Sequence, residues 1–112
     1  MAVLNIANDF NPAPGGVTKE DSSYSAEALR EMICAKLTSL KKGEVLFIDL
    51  DGIEAVAANF LEACFGGLVS YGHFTVSELK RTMQFRYEDL DMCFYADKAW
   101  FFIEGSKFNS KG

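Results

Sequence analysis

The spacing of apolar positions changes several times along the chain, and each change marks an element. "AVLNIA" at 2–7 sets Val3 and Leu4 beside Ile6 and predicts a short strand. From 25 to 40, "SAEALREMICAKLTSL" places Leu29, Met32, Ile33, Leu37 and Leu40 on one face at helical spacing. Ser25 stands where an N-cap oxygen belongs, and Glu27 and Glu31 suit the positive end of the helix dipole. "KKG" then ends the helix, with Gly43 at C′. In "EVLFIDL", 44–50, Val45 to Ile48 are continuously apolar, which predicts a strand buried on both faces. "DG" at 51–52 predicts a turn.

From Asn59 to Tyr71 the only charge is Glu62. Leu61, Cys64, Phe65 and Leu68 share one side, Phe60 and Val69 widen it, and a helix so apolar all round is a buried one. Thr75 with Glu78 fits a capping box and opens a short helix, "VSELKRTM". "MQFRY" alternates Met83, Phe85 and Tyr87 and predicts a last strand. "EDLDMCFYADKAWFFIEG" fits a helix with a stripe of Met92, Tyr95, Ala96, Ala99, Phe102 and Ile103. The alternative is a hairpin turning at "ADK", which lacks the usual Gly or Asn, so helix is the better match. Residues 8–23 carry both prolines; "PAPGG" predicts a turn and "VTK" a returning edge strand. Residues 106–112 read as a frayed tail, and 1–112 as a single domain.

Composition narrows the function. At 112 residues, with 49% hydrophobic residues and ten Phe, the chain can bury a core without disulfides or metals. A net charge of −5 argues against nucleic acid and anionic membranes as partners. No run approaches the roughly 20 apolar residues of a membrane span. "MAVLNIANDF" lacks the basic and apolar regions of a signal peptide. Cys34, Cys64 and Cys93 form no CxxC or zinc spacing, as expected of a reduced, cytoplasmic protein.

Candidate chemistry is sparse. Asp49 and Asp51 at a strand end could hold Mg²⁺ with Glu62, against the plainer reading of a solvated acidic turn. "PGG" lacks the Walker lysine and GxGxxG spacing, so a plain turn is the better reading than an anion nest. Cys64 as a nucleophile would need an electropositive or His-paired setting, and the single histidine, His73, lies a few residues after the same helix with no evident pairing to it. A buried structural thiol is the expectation, and no catalytic residue, metal ligand or cofactor is assigned. Tyr24, Phe74, Trp100, Phe101 and Phe108 are more aromatics than one small core hides. "AWFFI" therefore suggests a surface for a protein partner or a homodimer.

Four blocks, "FNPAPGG", "SAEALR", "VLFIDLDGI" and "NFLEACFGGL", follow one another between Phe10 and Leu68 in a way that resembles the STAS-like domain family. Phe60, Phe65, Gly66 and Leu68 fall where that family's pattern has them. The resemblance implies an α/β fold with a central mixed β-sheet and helices packed mainly on one side. It also implies a regulatory module that binds protein, often encoded beside kinase-like ATPases. In the STAS antagonists, whose shape the family shares, a serine at the start of the helix after the central strand is phosphorylated, and the added charge of about −1.5 to −2 repels the kinase. Here that place reads Ala57, Ala58, Asn59.

Other departures share a character. The family has Ser-Phe at Asn59-Phe60, an acidic pair at Glu62-Ala63, Arg at Val17, and Ser-Gly-Glu at Ser25-Ala26-Glu27. The apolar frame stays while polar chemistry goes. The expectation is a non-catalytic regulatory module lacking the phosphorylatable serine, binding through Trp100, Phe101, Asp51, Asn59 and Glu62. Gly66, Gly67, Phe60 and Phe65 are assigned to packing, the glycines permitting close approach of the helix to a neighbour. The expected partner is a protein, a kinase-like ATPase or a host complex. Two alternatives stand beside this one: a repurposed phage or mobile-element inhibitor of a host complex, such as a defence complex, and a small metal- or nucleotide-binding enzyme using Asp49, Asp51 and Glu62.

Overall fold

The computed structural model describes residues 2–106. Three short strands, β1 (Ala2–Asn5), β2 (Leu46–Asp49) and β3 (Met83–Arg86), form one sheet in the order β1-β2-β3. Both pairings are parallel, with Leu4, Ile48 and Phe85 in register. The expected mixed sheet is thus corrected to a parallel one among the described residues. The reason is local. "VTK" supplies no antiparallel strand, because the N–H groups of Val17 and Thr18 donate to the Asp21 carboxylate (3.2 and 3.1 Å). The carbonyls of Gly16 and Val17 accept from Ala26 and Glu27. The loop is stitched to the helix that follows, and nothing is left for a ladder.

That helix, α1 (Ala26–Thr38), starts as expected, with the Ser25 hydroxyl accepting from the Ala28 N–H at 3.2 Å. It ends earlier than "KKG". The hydroxyls of Thr38 and Ser39 donate to the carbonyls of Cys34 and Ala35, which competes with continuing the helix. Gly43 instead takes φ +85° in the next turn.

The segment 58–70 is helical throughout but not uniform. A π-helical turn (Glu62–Gly66) separates α2 (Ala58–Leu61) from α3 (Gly67–Ser70). Next comes α4 (Val76–Thr82), with the Thr75–Glu78 capping box formed in both directions. The ambiguous C-terminal segment is a helix, α5 (Cys93–Gly105), entered through a 3-10 turn at Leu90–Met92.

One face of the sheet is core. Leu4, Leu46, Ile48 and Met83 are fully buried and join Leu29 and Ile33 of α1, Phe65, Leu79 of α4, and Ala99 and Ile103 of α5. The other face carries Val3, Phe47, Asn5 and Asp49, all half-buried. The strand expected to be buried on both faces therefore alternates after all. With helices only over the core face, the apolar Phe47 faces outward despite its apolar neighbours.

Candidate functional site

In a parallel sheet the carboxyl ends of all strands share one edge, the usual place for a ligand in α/β folds. Here Asn5, Asp49 and Arg86 lie there in register. The cleft beside them, about 360 Å³, is lined by Asp49, Asp51, Arg86, Tyr87 and Glu88. Its polar groups are turned on the protein itself. Asp51 accepts the N–H of Glu88 on one carboxylate oxygen (2.8 Å) and that of Asp89 on the other (3.1 Å). Asp49 accepts the Asp51 N–H at 3.0 Å and sits 3.5 Å from the Arg86 guanidinium. Asn5 donates to the Asp51 carbonyl at 3.2 Å and accepts the Asn8 N–H. These residues tie three loops together; they form a brace.

Glu62 and Asn59 do not line this cleft. Among the described residues no group of three or more His, Cys, Asp or Glu is placed to hold a metal ion. Asn59 and Glu62 stand exposed on α2 and its π-helical extension, one turn apart. Ala57, at the N-cap, provides no side-chain bond to the helix start, and Ala57 and Ala58 are exposed. The helix start at Ala57, Ala58 and Asn59 is thus accessible and carries no hydroxyl.

The π-helical turn is contacted by a residue that sequence reading passed over. Nη1 of Arg30 on α1 donates to the Ala63 carbonyl in this turn at 2.8 Å. The guanidinium also lies over the Tyr71 ring, 4.4 Å from its centre. Gly67 makes room: a Cβ there would stand 2.9 Å from the Arg30 side chain. Gly66 faces the other way, onto Phe102 and Ser106 at the end of α5. Phe60 and Phe65 are buried.

Cys64 is fully buried in this turn, and burial pushes its thiol well up, only partly offset by Arg30. His73 is exposed, so no nucleophile–base pair forms. Cys34 is half-buried and its thiol is likewise raised by burial.

The aromatic surface divides. Trp100 is half-buried, its ring edge-to-face with Phe85 at 6.0 Å, and Phe85 meets Phe65 in turn. Phe101 is 67% exposed, and it has companions the sequence reading did not name, Phe94 (62%) and Leu90 (80%). A usable signal existed. Phe94 and Phe101 fall on the helix face opposite Met92, Ala96, Ala99 and Ile103, the inward stripe. Tyr24 is exposed against Phe10, Phe74 is half-buried, and Phe108 lies outside the described residues, as does 107–112 of the expected tail.

A family model described as a STAS-like domain of unknown function matches residues 26–87, more than half of the chain. Comparison with curated proteins and with solved structures returns no match. No helix among the described residues is long and apolar enough to cross a membrane.

Proposed function

The chain belongs to the STAS-like domain family, and from that premise we propose that it is a non-catalytic regulatory module that acts by binding another protein. The observation that carries this reading is where the polar groups are spent. Asp49 and Asp51 are committed to backbone N–H groups and Arg86, while Asn59 and Glu62 stand bare on an exposed helix start. Bare polar side chains on a rigid element suit recognition of a partner surface rather than turnover of a small substrate. With Ala57, Ala58 and Asn59 at the switch position, nothing there accepts a phosphoryl group, so binding is constitutive at this site. A kinase-like ATPase domain is the partner class proposed.

The test is affinity capture with the purified protein, followed by the same capture with Asn59→Arg and Glu62→Arg. A kinase-like ATPase retained by the wild type and lost by both variants supports the reading. Ala58→Asp, which restores negative charge at the switch position, should weaken the same capture. Retention of a different host complex, lost by the same variants, would favour the inhibitor alternative. Loss of a chemical activity in Asp51→Ala with capture intact would favour the enzyme alternative.

A further inference from the structure

We infer that the free edge of β3 is a docking site for an extended segment of another protein. The segment joins the three-stranded sheet as an added antiparallel strand, with an apolar residue opposite Phe85 and a Lys or Arg opposite Tyr87. The inference is independent of the partner reading above, which rests on Asn59 and Glu62.

β3 is an outer strand of the sheet, so one side of its backbone has no neighbouring strand among the described residues. Along a strand, successive residues turn their N–H and C=O groups to opposite sides. The Leu50 N–H donates to the Arg86 carbonyl at 3.0 Å, so Arg86 and Gln84 face β2. Phe85 and Tyr87 therefore turn theirs to the free edge. The Met83 N–H, on that same edge, is spent on the Leu79 carbonyl at the end of α4. Neither the Phe85 nor the Tyr87 N–H has an acceptor among the described residues. At the opposite edge of the sheet the Asn5 N–H is taken by the Asp9 carboxylate at 2.8 Å. An open row of donors and acceptors at strand spacing is matched by another extended chain. A helix cannot fill it, because its own backbone groups bond within the helix.

Beside this edge runs a groove of about 350 Å³, with Phe85, Tyr87, Ala96, Asp97 and Trp100 among its walls. α5 runs antiparallel alongside β3. Glu104, late in α5, lies 3.7 Å from Lys80, just before β3; Trp100 meets Phe85 at 6.0 Å; and Asp97, earlier in α5, stands by Tyr87 at the strand's end. A hydrogen bond to Cys93 and, less strongly, the Asp97 charge raise the Tyr87 hydroxyl above the ordinary phenol value, which sets these groups together. Charge is thus ordered along the groove. At one end Lys80 is matched by Glu104, and at the other Asp97 pairs with no cation among the described residues.

That order selects the occupant. A residue opposite Phe85 shares its face of the sheet and lies over Ala96 and Trp100, where an apolar side chain has room. A residue opposite Tyr87 lies on the same face beside Asp97, which favours Lys or Arg. Antiparallel pairing is the more stable per residue, and it lets Phe85 and Tyr87 each exchange both backbone bonds with one incoming residue. In that direction the incoming sequence reads basic, any, apolar.

The probe is the peptide acetyl-Thr-Thr-Lys-Thr-Leu-Thr-Thr-amide, added to the isotope-labelled full chain and followed by NMR and amide hydrogen exchange. In the free protein the Phe85 and Tyr87 amides should exchange about tenfold or more faster than those of Gln84 and Arg86. Peptide up to about 2 mM covers a millimolar dissociation constant. At saturation it should slow the Phe85 and Tyr87 amides by about tenfold or more. Methylating the peptide's Leu nitrogen removes its bond to the Phe85 carbonyl and should weaken binding by about tenfold or more. Lys→Glu in the peptide should weaken binding by about tenfold, and Asp97→Lys in the protein should restore the Glu peptide to within about threefold of the original pair. Asp97 is exposed, so its replacement leaves the fold intact. No slowing at Phe85 and Tyr87 over this range, or equal binding of the methylated peptide, overturns the inference. Failure of the charge exchange to recover binding overturns the place given to the basic residue. Tighter binding of the peptide with Leu and Lys interchanged overturns the antiparallel direction. Asn59→Arg should leave this binding unchanged, so the two readings fail separately.

Discussion

Replacing Gly66 by a larger residue tests the close contact between the π-helical turn and the end of α5. A Cβ at this position would lie 2.8 Å from the Ser106 hydroxyl, 3.4 Å from the Phe102 carbonyl oxygen and 3.6 Å from the Phe102 Cβ. Ser106 cannot simply swing aside without cost, because its hydroxyl donates to the Phe102 carbonyl at 2.6 Å and satisfies the last turn of α5. Gly66→Ala therefore sets two effects against each other. Helix propensity favours alanine by about 1 kcal/mol. Displacing the hydroxyl forfeits about 0.5–1.5 kcal/mol. The net change should fall within about 1 kcal/mol of zero. Gly66→Leu adds three further heavy atoms with nowhere to go, and overpacking of that kind costs about 1–3 kcal/mol. Urea unfolding at equilibrium measures both, and thermal unfolding should fall by roughly 3–6 °C per kcal/mol lost for a chain of this size. The contact itself is tested by Ser106→Ala. In the Gly66→Ala background, removing the hydroxyl relieves the clash, so the double variant should be more stable than additivity predicts. A Gly66→Leu protein within about 0.5 kcal/mol of the wild type would refute the close approach, as would strictly additive behaviour of the Gly66–Ser106 pair.

Three further outcomes follow from the same contacts. Arg30→Met keeps the stem beside Gly67 but leaves the Ala63 carbonyl and the Tyr71 ring without their cation, and should cost about 1–3 kcal/mol in urea unfolding. Asp51→Asn can no longer accept both the Glu88 and Asp89 N–H groups and should cost about 1 kcal/mol; if Asp51 were instead a metal ligand, the cost would vary with Mg²⁺ concentration. Glu78 accepts the Thr75 backbone N–H at 2.9 Å, which, with the Thr75 hydroxyl, holds its carboxyl below the usual carboxylate range. Its stabilisation is present above the ordinary glutamate value and is lost as pH falls through the lowered folded value, so Glu78→Gln should be less stable at neutral pH and converge with the wild type in acid.

The caps and periods written locally in the chain were legible without the fold. Ser25 and the Thr75–Glu78 box act within one turn, and the stripe Met92, Tyr95, Ala96, Ala99, Phe102 and Ile103 repeats over about three, so short-range sterics, hydrogen bonding and the helical period decide them. The family resemblance was legible for a related reason: Phe60, Phe65, Gly66 and Leu68 are held in place by packing that a sequence pattern preserves. Whether Asp49 and Asp51 formed a ligand site was not legible, because their hydrogen-bond partners, Arg86, Glu88 and Asp89, are supplied from more than thirty residues away. The contact to the π-helical turn was hidden likewise, since its donor, Arg30, sits on another helix. Sequence alone determined the three strands of the sheet, the main helices, the buried apolar segment from Asn59 to Tyr71 and the missing hydroxyl at Ala58 and Asn59, but not the absence of a strand at "VTK". Only the tertiary structure decided which polar groups were spent and that the sheet is parallel with one open face, whereas the outward place of Phe94 beside Phe101 follows from the helical period. Local preferences depend on neighbours a few residues apart, whereas satisfaction of a carboxylate or exposure of a ring depends on what the whole fold brings next to it.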